Sequence, residues 1–280
     1  MQIESTLSGQ EIREEIYARM RPLGLSNFGE LMFGLIGQDF PKLASILPKM
    51  ADNDVQVKWT GSAGLKSLKQ SIDFVRDASY SYSNITGRGL RTAKVLDFGC
   101  GYGRLARLMC YFVSEKNLWG VDPWSRSIEL CQAAGLDGNF FISDYLPKSL
   151  PVGNTRFDFI YAFSVFTHLS KRAAITALQT LETYLEDDGV ILITIRPVEY
   201  WETIFKSKTQ QPVTNQIAAH ESEGFAFVPH AGPVIDGEIT YGDTSMALEW
   251  IEQQVPTLRI VQLDSSYTTP YQLAVYLKKR

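Results

Sequence analysis

The sequence predicts an α/β fold: a doubly wound, mostly parallel sheet with a helical N-terminal extension. Three observations carry this. From Lys94 onward, short apolar runs alternate with amphipathic segments, the pattern of strands that cross over through helices. The first run passes directly into a glycine-rich turn, Asp97-Phe98-Gly99-Cys100-Gly101-Tyr102-Gly103. Before Lys94 the apolar residues fall instead at helical spacing, as in Ile12, Ile16 and Met20 and again in Leu65, Leu68, Ile72 and Val75.

Taken in order, Ser8 is expected to cap a first helix that ends near Gly24. A second long helix follows the turn-like Trp59-Thr60-Gly61-Ser62 segment, and residues 27–58 between them are mixed. Strands are predicted at Lys94 to Phe98, Leu118 to Val121, Phe140 to Ile142 and Phe157 to Phe163. Asp187-Asp188-Gly189 turns into a fifth, Val190 to Ile195. Residues 197–244 show no sustained period, and a loop of that length is usually functional, so a lid is expected there. A helix from Ser245 to Gln254 and two last strands, Leu258 to Leu263 and Gln272 to Leu277, bring the sheet to seven strands. The expected division is a helical cap over 1–90 and a binding domain over 91–280.

Glycine at alternate positions frees the backbone for positive φ and lets a ligand lie against main-chain atoms. The turn departs from the dinucleotide fingerprint G-x-G-x-x-G, because its third glycine comes one place early and Arg104 stands in the expected slot. No Lys-Ser/Thr pair is present to hold a triphosphate. An acid at Asp97 followed by G-x-G-x-G resembles the first signature of class I S-adenosylmethionine-dependent methyltransferases. Asp122 after Trp119-Gly120-Val121, Asp144 in Ser143-Asp144-Tyr145-Leu146-Pro147, and Phe157-Asp158-Phe159-Ile160-Tyr161 followed by Leu185-Glu186-Asp187-Asp188-Gly189 occur in that family's order.

The resemblance implies a Rossmann-like sheet, S-adenosylmethionine as cofactor and S-adenosylhomocysteine as product. It implies a cofactor site built from Asp97, Phe98, Gly99, Cys100, Gly101, Gly103, Asp122, Pro123, Trp124, Asp144, Tyr145 and Phe163. A carboxylate at Asp122 suits the vicinal hydroxyls of a ribose, or caps the next helix. Trp124 is expected either to lie near the adenine or to pack that helix. Asp144 is expected at the adenine amino group, and Phe163 beside the sulfonium or in the core. Cys100 reads as small filler between two glycines.

A formal charge of −4 over 280 residues argues against nucleic acid as partner. The first residues carry no basic region leading into an apolar run, and no run is long enough to span a bilayer. The three cysteines, Cys100, Cys110 and Cys131, lack any C-x-x-C pairing, so no metal site is expected and a reduced, cytoplasmic location is. Oligomeric state stays open, a homodimer included.

The text after the fourth strand, Ala162-Phe163-Ser164-Val165-Phe166, lacks the Pro-Pro-aromatic stretch of amine-methylating relatives and the Pro-Cys of cytosine C5 enzymes. A hydroxyl acceptor must lose its proton during attack, so a general base is sought. His168, near the methyl side, is one candidate for it. His230, between Pro229 and Pro233, is the other; His220 reads as solvated. Asp243 either caps the following helix or orients a histidine. The tail from Gly224 to Tyr276, with Pro270-Tyr271-Gln272, resembles bacterial methyltransferases of glycan or secondary-metabolite pathways, which implies a small, sugar-like hydroxyl acceptor. The alternatives are methylation of RNA or protein, with Lys171, Arg172, Lys206 and Lys208 as a basic track, and a non-catalytic binding protein.

Overall fold

The computed structural model describes residues 2–8, 11–136, 138–232, 234–265 and 271–280; Pro233 and Pro270 lie outside them. The chain makes two compact units, the first ending at Ile142 and the second beginning at Ser143. The fold is a seven-stranded, mostly parallel sheet with flanking helices.

The first unit begins with helices α1 (Gln2–Ser5), α2 (Arg13–Met20), α3 (Leu25–Met32), α4 (Pro41–Ile46), α5 (Asn53–Thr60) and α6 (Gly64–Thr86). Ser8 does not cap α2: its N–H and hydroxyl both donate to Glu11, and Ile12 stands at the N-cap, 69% exposed. Ile16 and Met20, by contrast, are fully buried. Leu65 is exposed because it lies in the first turn of α6, whereas Leu68 and Ile72 further along pack against Gly29 of α3. Strands β1 (Val95–Phe98), β2 (Leu118–Asp122) and β3 (Asn139–Ile142) pair in parallel in that order, joined by α7 (Arg104–Met109) and α8 (Ser125–Ala133).

Arg107 of α7 is completely buried, and no carboxylate pairs with it among the described residues. Its guanidinium donates to five backbone carbonyls at 3.2 to 3.4 Å: Gly103 and Tyr102 in the glycine turn, Met32 at the end of α3, and Pro48 and Lys49 ahead of α5. Burial lowers its pKa, which is the electrostatic cost of a cation solvated only by peptide dipoles. One turn earlier, Arg104 donates to Gln70 Oε1 at 3.0 Å and Ser71 Oγ at 2.9 Å, tying α7 to α6.

The second unit holds β4 (Phe157–Ala162), α9 (Lys171–Thr183) and β5 (Leu185–Ile195). Strands β4 and β5 are parallel, and their register jumps between Phe157 and Phe159. The expected turn at Asp187-Asp188-Gly189 is therefore an irregularity inside β5 rather than its start. The segment read as patternless is ordered: a π-helical turn at Trp201–Phe205, α10 (Lys206–Thr209), α11 (Thr214–Glu223), β6 (Phe225–Pro229), β7 (Val234–Ile235), β8 (Glu238–Ile239) and β9 (Gly242–Met246). Its own core joins Tyr200, Trp201, Phe205, Val213 and Ala226. The expected helix from Ser245 begins only at Leu248, as α12 (Leu248–Gln254), because residues 242–246 pair antiparallel with β6. Strands β10 (Leu258–Ser265) and β11 (Leu273–Lys279) form an antiparallel pair, and β11 runs antiparallel to β5.

Replacing Arg107 with Met is expected to cost on the order of 3 kcal/mol, because buried carbonyls lose their donor. Urea denaturation, with Arg107→Lys as the intermediate case, measures this; equal stability of all three proteins would contradict it.

Candidate functional site

The first unit builds a cradle where β1 and β2 end. Gly99, Gly101 and Gly103 have φ of +79°, +53° and +74°, a region that side chains disfavour. At Gly103 a Cβ would also overlap the Leu136 side chain, so the start of α7 needs glycine for close packing. At Gly101 nothing lies within 4 Å of where a Cβ would stand, so that stretch of main chain faces open space. The N–H groups of Gly99 and Cys100 both donate to the Val121 carbonyl, at 2.8 and 3.1 Å, which holds the turn against the end of β2.

Asp122 closes β2 and is fixed by two backbone donors. Gly101 N–H donates to Oδ2 at 3.0 Å, and Trp124 N–H donates to Oδ1 at 2.9 Å. Burial raises its pKa, and these donors oppose the rise without cancelling it. The Ser127 side chain is a third donor; since an ionised carboxylate has about four acceptor directions, Asp122 keeps capacity for one ribose hydroxyl. The open main chain at Gly101 and the oriented carboxylate fit an adenosyl group. Trp124 stacks on Trp59, 4.4 Å between ring centroids.

Asp97 and Phe98 are buried in β1, and Pro123 is half-buried. Cys100 is buried, and a hydrogen bond with Cys131 together with burial raises its thiol well above the ordinary range, so it is protonated filler.

In the second unit Asp144 is exposed, while Tyr145 and Phe163 are half-buried; β4 ends at Ala162, one residue before Phe163. The next residue, Ser164, has φ +58°, a strained conformation for a non-glycine residue. It is held by its N–H donating to Thr194 Oγ1 at 2.7 Å and by a side-chain bond to the Gln272 amide.

The second unit also gathers all three expected catalytic side chains. A short ladder lays residues 240–244 beside the loop after β4: Ser170 N–H donates to the Thr240 carbonyl, Gly242 N–H to the His168 carbonyl and Thr244 N–H to the Thr167 carbonyl. Asp243 is thereby brought to the histidines and is not a helix cap. Its Oδ1 accepts from Arg196 Nη1 and from the Tyr200 hydroxyl, both at 2.6 Å, and its Oδ2 lies 2.8 Å from His230 Nε2. Burial acts to raise the Asp243 pKa, but the bonds from Tyr200 and His230 and the Arg196 charge outweigh it, so the carboxyl stays below its usual value.

His168 differs from His230. Its Nδ1 is 2.7 Å from the Gly242 carbonyl and must carry the proton, while its Nε2 is 3.3 Å from Arg196 Nη2 and must accept. Burial and the Arg196 charge push its pKa down to about 4. Tyr241 stacks on the His168 ring at 4.9 Å and meets the His230 ring edge-on at 5.6 Å.

Arg196 and Tyr200 were not foreseen, although a charged residue directly after the apolar run ending at Ile195 was a readable signal. His220 is half-buried rather than solvated. Ser245 Oγ accepts from Trp201 Nε1 at 2.8 Å and is hydrogen-bonded to His220 Nδ1, also 2.8 Å away. In the basic track, Lys171 pairs with Glu223 and Arg172 with Asp236. Among the described residues no cluster of three or more His, Cys, Asp or Glu side chains could hold a metal, and no helix is long and apolar enough to cross a membrane.

The family model described as a methyltransferase domain matches residues 43–231, more than half of the chain. No curated protein is significantly similar in sequence. Solved structures are similar in fold. The plantazolicin methyltransferase BpumL, in complex with SAH, is 15% identical with a TM-score of 0.52, covering 95% of this chain and 98% of its own. An S-adenosylmethionine-dependent methyltransferase from Clostridium acetobutylicum is 15% identical with a TM-score of 0.51, covering 86% and 99%. The magnesium protoporphyrin IX methyltransferase of Synechocystis, with bound SAH, is 15% identical with a TM-score of 0.52, covering 80% and 92%.

His168 makes stability depend on pH. Its unfolded value is about 6.5 and its folded value about 4, so between these the unfolded chain binds a proton that the folded chain does not. Stability is expected to be unaffected above pH ~6.5 and to fall by roughly 2–3 kcal/mol as pH drops toward 4. In His168→Gln this slope should flatten; denaturation midpoints across that window measure it, and an identical slope would contradict the assignment.

Proposed function

Because this chain belongs to the methyltransferase-domain family and is an enzyme using S-adenosylmethionine, we propose that it methylates a hydroxyl of a small, polar, sugar-like acceptor. The observation that carries this reading is the His230–Asp243 dyad. Transfer to oxygen needs a base to take the hydroxyl proton, whereas a carboxylate or a neutral amine needs little help. His230 bonds Asp243 through Nε2, and its Nδ1 makes no hydrogen bond among the described residues. Its side chain is 42% exposed, open to an acceptor.

The donor, when bound, supplies an electrophilic methyl on a sulfonium. On the protein side, Asp122 would accept a ribose hydroxyl, and the main chain from Gly99 to Gly103 would hold the cofactor beside it. The acceptor hydroxyl gives its proton to His230 Nδ1 as its oxygen attacks. Asp243, kept ionised by Arg196 and Tyr200, orients the imidazole and stabilises the imidazolium that forms. His168 is a positioning residue in this scheme: its one lone pair already accepts from Arg196, and a base of pKa about 4 is weak. Methylation of RNA or protein is disfavoured by the acidic balance of the chain and by the acids paired with Lys171 and Arg172.

A methyl-transfer screen over sugars, nucleotide sugars and phenols, read by mass gain, identifies the acceptor class. With that acceptor, His230→Gln is expected to lower kcat about 100-fold or more with little change in KM, and Asp243→Asn by a smaller factor. Full turnover by His230→Gln would refute base-assisted transfer to oxygen. Asp122→Ala should weaken S-adenosylhomocysteine binding on the order of 100-fold by calorimetry, the worth of one strong charge-assisted hydrogen bond.

A further inference from the structure

Trp59, at the end of α5, reaches both sides of the cradle. Its ring stacks on Trp124, with planes 28° apart, and stands 5.9 Å from the Tyr102 ring. Tyr102 belongs to the turn after β1, and Trp124 follows Asp122 by two residues. One indole from the N-terminal helices therefore meets side chains at both strand ends. Neither member of the stack is sealed in a core: Trp124 is 46% exposed and Trp59 half-buried.

The frame behind Trp59 is fastened. Gln56, buried in α5, donates through Nε2 to the Ala51 carbonyl at 2.7 Å and accepts the Gly64 N–H at 3.3 Å, which pins α5 to the start of α6. Arg104 pins α6 to α7 in turn. A movement of Trp59 that keeps these bonds must therefore come from the torsions of its indole rather than from its helix. A purine is flat and aromatic on both faces, and stacking on an aromatic side chain is at least as favourable for it as one aromatic side chain stacking on another.

We infer that the Trp59–Trp124 stack is a latch opened by adenine: the base of the bound cofactor enters between the two indoles and converts the pair into an indole–purine–indole sandwich. The inference rests on the assignment of Asp122 to the ribose, which sets the base beside the residue two positions on. Trp59 then covers the adenosine part of the ligand from the side opposite Trp124. The N-terminal helices contribute directly to cofactor affinity through this one ring.

Circular dichroism tests this, since a stacked indole pair gives an exciton couplet in the far ultraviolet. On titrating the full-length protein with S-adenosylhomocysteine, the couplet is expected to vanish with the midpoint that calorimetry gives for binding. Adenosine should reduce it, and methionine should leave it intact. Trp59→Ala should lack the couplet and bind S-adenosylhomocysteine about 5- to 100-fold more weakly; Trp59→Phe, which keeps a stacking ring, should recover most of the affinity. A couplet that persists at calorimetric saturation, or a Trp59→Ala protein that binds as tightly as the parent, would overturn the latch while leaving the cofactor site standing. An absence of binding heat in the parent protein would overturn both.

Discussion

One buried cation sets the geometry of the first unit. Arg107 has no counter-ion among the described residues, and its guanidinium is solvated by five carbonyls drawn from three separate stretches of chain. The Gly103 carbonyl also accepts the Arg107 backbone N–H, but the cation would otherwise be buried without solvation and the other carbonyls would lose the donor it supplies. The two costs cancel only when the end of α3, the stretch before α5 and the glycine turn stand at the distances observed. Arg104 repeats the device one turn earlier toward α6. Together they make the N-terminal helices and the cradle a single packed body, so that Trp59 can stand against Trp124.

The second unit solves a different electrostatic problem. A guanidinium, two imidazoles and two phenols are gathered around the Asp243 carboxylate. Arg196 satisfies two of them at once: it donates to Asp243, keeping it ionised, and to His168, keeping it neutral. The two histidines are thereby made unequal. One is locked in a single tautomer on both ring nitrogens, and the other hangs from a charged acceptor with a nitrogen to spare. Pairs of like groups driven apart by their surroundings are how sites divide acid–base duties.

Much of the sheet is legible in the sequence, because strand periodicity and the glycine turn are local signals. The boundaries that moved did so where pairing overrode pattern. Ser245 and Met246 read as the start of a helix but pair with Ala226 and Phe225, about twenty residues back along the chain, and Asp187 to Gly189 stay within β5 through a register jump. The segment after Pro197 looked patternless because its helices are short and its strands belong to two-stranded sheets, too brief for a period to show. Ile12 and Leu65 matched a helical stripe yet face solvent, since a stripe marks a buried face only where another element covers it.

The sequence by itself determined the strand–turn–helix cradle, the acid at the end of β2, and the candidates His168, His230 and Asp243, because each is a residue type at a position relative to a local element. Only the tertiary structure decided their states. Asp243 lies more than seventy residues from His168, and no local pattern reports that a backbone ladder joins them. Nor does spacing reveal that Arg196 neutralises one histidine's role as a base, that Arg107 binds three chain stretches, or that Trp59 covers Trp124. Those outcomes depend on burial and on partners distant in sequence, and both exist only once the chain has folded.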